Sequence, residues 1–247
     1  MKKSLLALGL AGIAAAALAA SALAAHSWGS YHWARTASPF TLKLGDNVNS
    51  TWDASLATAS ADWSLSSVLD TTIVAGGTRP KNCRPTAGRV EVCNALYGKN
   101  GWLGIAQIWA SGSHITQGVV KMNDTYFKTS TYNSPAWRNL VVCQEVGHTL
   151  GLDHQDEAFD NPNLGTCMDY TSSPGTNQHP NQHDYDQLGA IYGHLDSTTT
   201  VGSAAPAFGQ LQRVRDDLWF QDLGNGRGIF TFVFWATKGP HGAPQTD

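Results

Sequence analysis

The chain has 247 residues, 42% hydrophobic and 14% charged, with a formal net charge of −3. That length builds one sizeable core, or one domain with a small appendage. The near-neutral balance gives no electrostatic basis for binding nucleic acid or an anionic membrane, and sparse charge with nine Trp argues for a compact extracellular domain over a disordered chain.

Lys2 and Lys3 precede an apolar run over 5–18, and Ala22-Leu23-Ala24 supplies small residues for cleavage. This is the layout of a secretory signal peptide at 1–24, leaving a mature chain from about Ala25. The run is short for a membrane anchor and no second segment is long enough to span a bilayer. A secreted protein, extracellular or periplasmic, is therefore expected, monomeric and with no membrane partner after cleavage. Residues 25–37 carry His26, Trp28, Tyr31, His32 and Trp33 without clear period. They read as an N-terminal arm packing on the domain, its histidines isolated surface groups.

Residues 40–44 alternate apolar and polar as a short strand does. Asn49 or Ser50 is placed to cap a helix, and Trp52, Leu56, Ala59 and Trp63 follow at i, i+4, i+7 and i+11, one buried helical stripe. Residues 72–75, 90–96, 103–110 and 115–122 read as further strands. Gly98, Gly101 and Gly112 lie in the turns between the last three. In an oxidising compartment the four cysteines read as two disulfides, with three connectivities open. Cys83–Cys93 as a local loop closure and Cys143–Cys167 is the favoured pairing; a zinc site of four thiolates is disfavoured because no pair has C-x-x-C spacing.

Ser134 and Pro135 open a helix well, as N-cap and first helical residue. Along it Trp137, Val141, Gln144 and His148 share one face. Gly151 can then take positive φ, so the helix ends and His154 turns back toward His148. Two neutral imidazoles with an adjacent carboxylate, Glu145, are the chemistry of a catalytic zinc site. The stretch 144–154 resembles the H-E-x-x-H-x-x-G-x-x-H signature of the metzincin metalloproteases. Glu145, His148, Gly151 and His154 match it, and Gln144 stands in place of the first histidine.

The resemblance covers roughly 38–196 and implies an α+β catalytic domain, a five-stranded twisted mixed sheet with three main helices. It also implies that a sheet-edge strand lines the cleft and pairs with an extended protein or peptide substrate; by position that strand is 103–110. Met168 occupies the place of the family's methionine turn beneath the ligands, and Tyr170 matches a tyrosine that astacins and serralysins place near the metal. The implied activity is a zinc endopeptidase with one catalytic Zn2+, held by His148, His154 and Gln144. Glu145 takes the proton of the attacking water, and Tyr170 is an additional donor. An amide oxygen is a poorer zinc ligand than imidazole, so the alternative is a catalytically impaired pseudoprotease, exported as a binding module. Calcium has no D-x-[DN]-x-[DN]-G loop behind it.

Asn181 is placed to cap a last helix, with Tyr185, Leu188, Ile191, Tyr192 and Leu195 as its apolar face. His179 and His183, between the methionine turn and this helix, are placed to approach the cleft. Residues 197–214 read as a linker. Residues 215–247 read as a C-terminal β-hairpin extension around Asn225-Gly226, packed on the catalytic domain or serving as an accessory substrate-binding element.

Overall fold

The computed structural model describes residues 26–202, 211–238 and 241–244. The expected signal segment and residues 203–210 of the expected linker lie outside them. The fold is α+β. Strands β1 (His32–Trp33), β2 (Phe40–Asn47), β3 (Leu69–Ala75), β4 (Val90–Ala95), β5 (Trp102–Ser111) and β6 (His114–Asn123) precede the motif helix. Strands β7 (Leu211–Arg213), β8 (Leu218–Gly224) and β9 (Arg227–Trp235) follow at the C-terminal end. All nine form one mixed sheet in the order β3-β2-β4-β6-β5-β9-β8-β7, with β1 pairing parallel to β6. Two corrections follow. The sheet is larger than the five strands expected, and the C-terminal hairpin is part of that sheet, with β7 starting at Leu211, four residues earlier than expected.

Helix α1 (Asp53–Trp63) buries Trp52, Leu56, Ala59 and Trp63 to 1% exposure or less, as the stripe requires; Asn49 and Ser50 lie ahead of its N-cap, Trp52. A short helix not foreseen, α2 (Asp124–Phe127), follows β6, with the Asn123 side chain accepting from Thr125 N. Helix α3 (Pro135–Thr149) starts as expected: the Ser134 side chain accepts from Trp137 N, with Pro135 in the first turn. Helix α4 (Gln182–Ile191) has a full capping box between Asn181 and Asp184. It ends at Ile191, so Leu195 is exposed instead of extending the apolar face.

The N-terminal arm packs against α3. The last carbonyls of a helix lose their intrahelical donors, and indoles supply two: Trp28 Nε1 joins the Gly151 amide at His148 O (3.1 Å), and Trp33 Nε1 donates to Thr149 O (2.8 Å). Both expected disulfides are formed, Cys83–Cys93 and Cys143–Cys167, each with a Cα–Cα separation of 5.9 Å. The second ties α3 to the loop that carries Met168. Among the described residues no helix is long and apolar enough to cross a membrane.

Candidate active site

Ten consecutive buried residues, 140–149, press α3 between the sheet and the later loops; Gln144, Glu145 and His148 are each at most 1% exposed. Beyond the helix Gly151 adopts φ +100°, and a Cβ there would sit 2.6 Å from Tyr31 O, so turn and close approach both demand glycine. The turn returns His154 to His148, with Nε2 atoms 3.0 Å apart. His148 Nδ1 donates to Leu152 O (2.9 Å), and His154 Nδ1 lies 2.9 Å from Asp217 Oδ2. With a proton on each Nδ1, toward Leu152 O and Asp217, both Nε2 atoms would be acceptors 3.0 Å apart.

Burial, and then the neighbouring His154, lower the His148 pKa to about 3, so the ring is neutral. Burial, and then the Asp217 charge, push Glu145 well above the ordinary carboxylate range; the backbone amides of Ala106 and Phe234 only partly oppose this. Neither Glu145 oxygen, nor the amide oxygen and nitrogen of Gln144, has a hydrogen bond of normal geometry among the described residues. Buried polar groups are seldom left so. Two imidazoles meeting through Nε2, next to a helix that buries an amide and a carboxylate without such bonds, are a donor set that fits a divalent cation of zinc type.

Met168 is fully buried beneath α3: a Cβ on Gly147 would lie 2.5 Å from its Sδ, so helix and methionine are in direct contact. Tyr170 packs on His154 with ring centroids 4.3 Å apart. Burial, and then the charges of Asp217 and Glu145, raise its pKa well above 10, so the hydroxyl is a donor. The structure thus brings together His148, His154 and Tyr170, with Met168 under α3 at Gly147 and with Gln144 and Glu145 buried on that same helix. His179 and His183 are not among them: His179 pairs with Asp62 at 2.7 Å and is exposed, and His183 stacks on His26.

The substrate edge is where expectation and structure part. Strand β5 is not an edge, because β9 pairs antiparallel along it with Ala106 opposite Phe232, Ile105 opposite Val233 and Gly104 opposite Phe234. Phe232 stacks on His148 at 4.2 Å between centroids and 10° between planes. Tyr170 donates its hydroxyl to Val233 O at 3.1 Å. Ahead of β8, Arg215 grips Asp153 through both terminal nitrogens, donating to Oδ2 at 2.7 Å, and donates from Nε to Asp217 Oδ1 at 2.6 Å. Burial opposes ionisation of Asp217, yet His154 and Arg215 together hold its pKa well below the usual range. What stays open is a groove of about 330 Å3 lined by Glu157, Phe159, Tyr170, Arg215 and Trp235. Sequence reasoning missed Asp217, Arg215 and Phe232. The near-continuous apolar run 229–235 was the available signal, since a strand buried on both faces reads that way.

No protein-family model and no curated protein sequence matches the chain. Two solved structures of myroilysin align with it at 13% identity. One covers 67% of this chain and 87% of its own at a TM-score of 0.36, the other 64% and 82% at 0.37. At that level the likeness carries no argument, and the functional reading rests on the site itself.

Proposed function

We propose that the chain is a secreted zinc endopeptidase whose cleft is kept closed by its own C-terminal hairpin. The observation that carries the reading is the 3.0 Å approach of His148 and His154 Nε2 next to the buried helix that carries Gln144 and Glu145. His148, His154 and the Gln144 amide oxygen would hold the metal, and Glu145 stands next to them. Bound there, zinc supplies Lewis acidity toward the scissile carbonyl and lowers the pKa of water.

The remaining roles belong to the chain. With β9 displaced, the N–H and C=O groups of β5 that now bind β9 bind an extended peptide in the same antiparallel sense. Displacement takes Asp217 away and readmits solvent, so the two causes that raise the Glu145 pKa are removed together. The carboxylate then accepts the proton of the attacking water and passes one to the leaving amine. Tyr170, released from Val233 O, has its hydroxyl free for the developing oxyanion.

The second reading, an exported binding module with an impaired site, is favoured by Gln144 and by the completeness of the β5–β9 ladder. Elemental analysis and casein digestion with the parent chain, Phe232→Ala, Glu145→Ala, the Phe232→Ala/Glu145→Ala double variant and Gln144→His separate the two. One equivalent of zinc lost when His148→Ala is added to this set, with digestion by Phe232→Ala protein abolished when Glu145→Ala is added, supports the peptidase. A cleft that takes zinc only as Gln144→His supports the binding module.

A further inference from the structure

Away from the cleft, three imidazoles and a carboxylate converge where the N-terminal arm, the start of β6 and the segment after α4 meet. Parallel pairing of β1 with β6 sets His32 opposite His114 in register. His32 Nε2 lies 3.2 Å from His194 Nε2 and 3.4 Å from Asp196 Oδ1. The same Asp196 oxygen is 3.2 Å from His114 Nε2 and 3.7 Å from His194 Nε2. Zinc ligands at 2.0–2.1 Å on tetrahedral corners stand about 3.3–3.4 Å from one another. Three of the six edges of such a tetrahedron are therefore within about 0.2 Å of that length, the His194–Asp196 edge is longer, and His32, His114 and Asp196 lie within 4.8 Å of one another.

The ligand atoms are also oriented for it. His32 Nδ1 lies 2.7 Å from Ser30 O, which fixes its proton there and leaves the lone pair on Nε2. That lone pair meets an Asp196 oxygen, itself an acceptor, and two acceptors attract only through a cation or an added proton. Asp196 is held from behind: Oδ2 accepts the Arg35 amide at 2.9 Å, and its own N–H donates to Arg35 O at 2.8 Å. His32 is buried and His194 half-exposed, so the site is anchored on the protein side and open to an arriving ion.

We propose that His32, His114, His194 and Asp196 form a structural site for a zinc-type divalent cation, independent of the cleft. With four protein ligands it leaves no open position, as structural zinc sites do. It would staple the arm that carries Trp28 and Trp33, and so the capped end of α3, to the sheet and to the end of α4. The inference holds whether or not the cleft binds metal.

The test is zinc stoichiometry by elemental analysis, with melting temperature in zinc and in chelator, on the full chain. His194→Ala, His32→Gln and a His148→Ala/His154→Ala double variant are measured beside the parent. The half-exposed His194 is the safe substitution, and a chelator-treated melting temperature equal to the treated parent's certifies its fold. The expected result is one equivalent of zinc, and the zinc-dependent rise in melting temperature, lost in His194→Ala and His32→Gln but kept in the cleft double variant. A tetrahedral cobalt spectrum in the cleft double variant that vanishes when His194→Ala is added supports the same conclusion. Zinc content and melting shift in His194→Ala and His32→Gln equal to the parent's overturn it, as does a cleft double variant that binds no zinc.

Discussion

Phe232→Ala separates a closed cleft from a permanent one. The ring is fully buried, stacked on His148 and against Trp28. Truncating a buried phenylalanine costs about 3–5 kcal/mol, and that cost falls on the state in which the ring is buried. If β9 leaves the cleft as a unit, Phe232 is solvated in the open state, and the open-to-closed ratio rises by about two to three and a half orders of magnitude. Amide hydrogen exchange read by mass spectrometry should speed up along β5 and β9 by that factor, while β2 and β4 keep their protection. Hydrolysis of a quenched fluorescent peptide should climb in parallel to a plateau. The reasoning is refuted if exchange accelerates equally in β2, β4 and β9, because the hairpin would then unfold only with the whole domain.

Three further perturbations test separate parts of the account. Asp217→Asn removes the carboxylate that faces His154 and leaves Arg215 with Asp153 and Glu157; closure should weaken by about 1–3 kcal/mol, and peptide hydrolysis should rise. Unchanged hydrolysis counts against the hairpin as a brake. Gly151→Ala places a Cβ against Tyr31 O at a positive φ, so unfolding free energy should drop by about 2–4 kcal/mol; a melting temperature within a degree of the parent's contradicts the turn geometry. Glu91 is buried; burial alone would raise its pKa, but partners including Arg89 (2.5 Å), Asn47 (2.7 Å) and the Gly77 amide (3.1 Å) lower it below the ordinary value. A depressed folded-state pKa gives stability that is present above the unfolded carboxylate value, near pH 4.3, and is lost as pH falls through the folded value. Glu91→Gln should therefore cost stability at pH 7, with the gap to the parent narrowing on acidification; a gap constant with pH would show that the charge is not the cause.

Where local chemistry decides an element, the amino-acid sequence made it legible. Ser134-Pro135 starts α3, Asn181 with Asp184 starts α4, Asn225-Gly226 turns β8 into β9 at positive φ, and the Trp52–Trp63 stripe is buried as its spacing demands. The four cysteines form the favoured pairs, Cys83–Cys93 as a local closure and Cys143–Cys167 as a tie from α3 to a later segment. What stayed hidden depends on pairing at long range. Nothing near residue 232 specifies a partner some 120 positions earlier, so β5 looked like an edge. Arg215 and Asp217 gave no local signal because their meaning comes from Asp153 and His154. His32 read as an isolated surface group because a two-residue strand has no period to detect, and its burial follows only once β1 lies on β6.

The continuity of the sheet through β9 has a consequence for handling the open form. Withdrawing the hairpin would bare one flank of β5, ten residues long and mostly apolar, with its row of unpaired amides and carbonyls. Such an edge pairs readily with any extended chain, including another copy of itself. Loss of the hairpin would thus trade a blocked cleft for a sticky one. Released protein should stay in solution only when dilute, or while a peptide occupies the vacated lane.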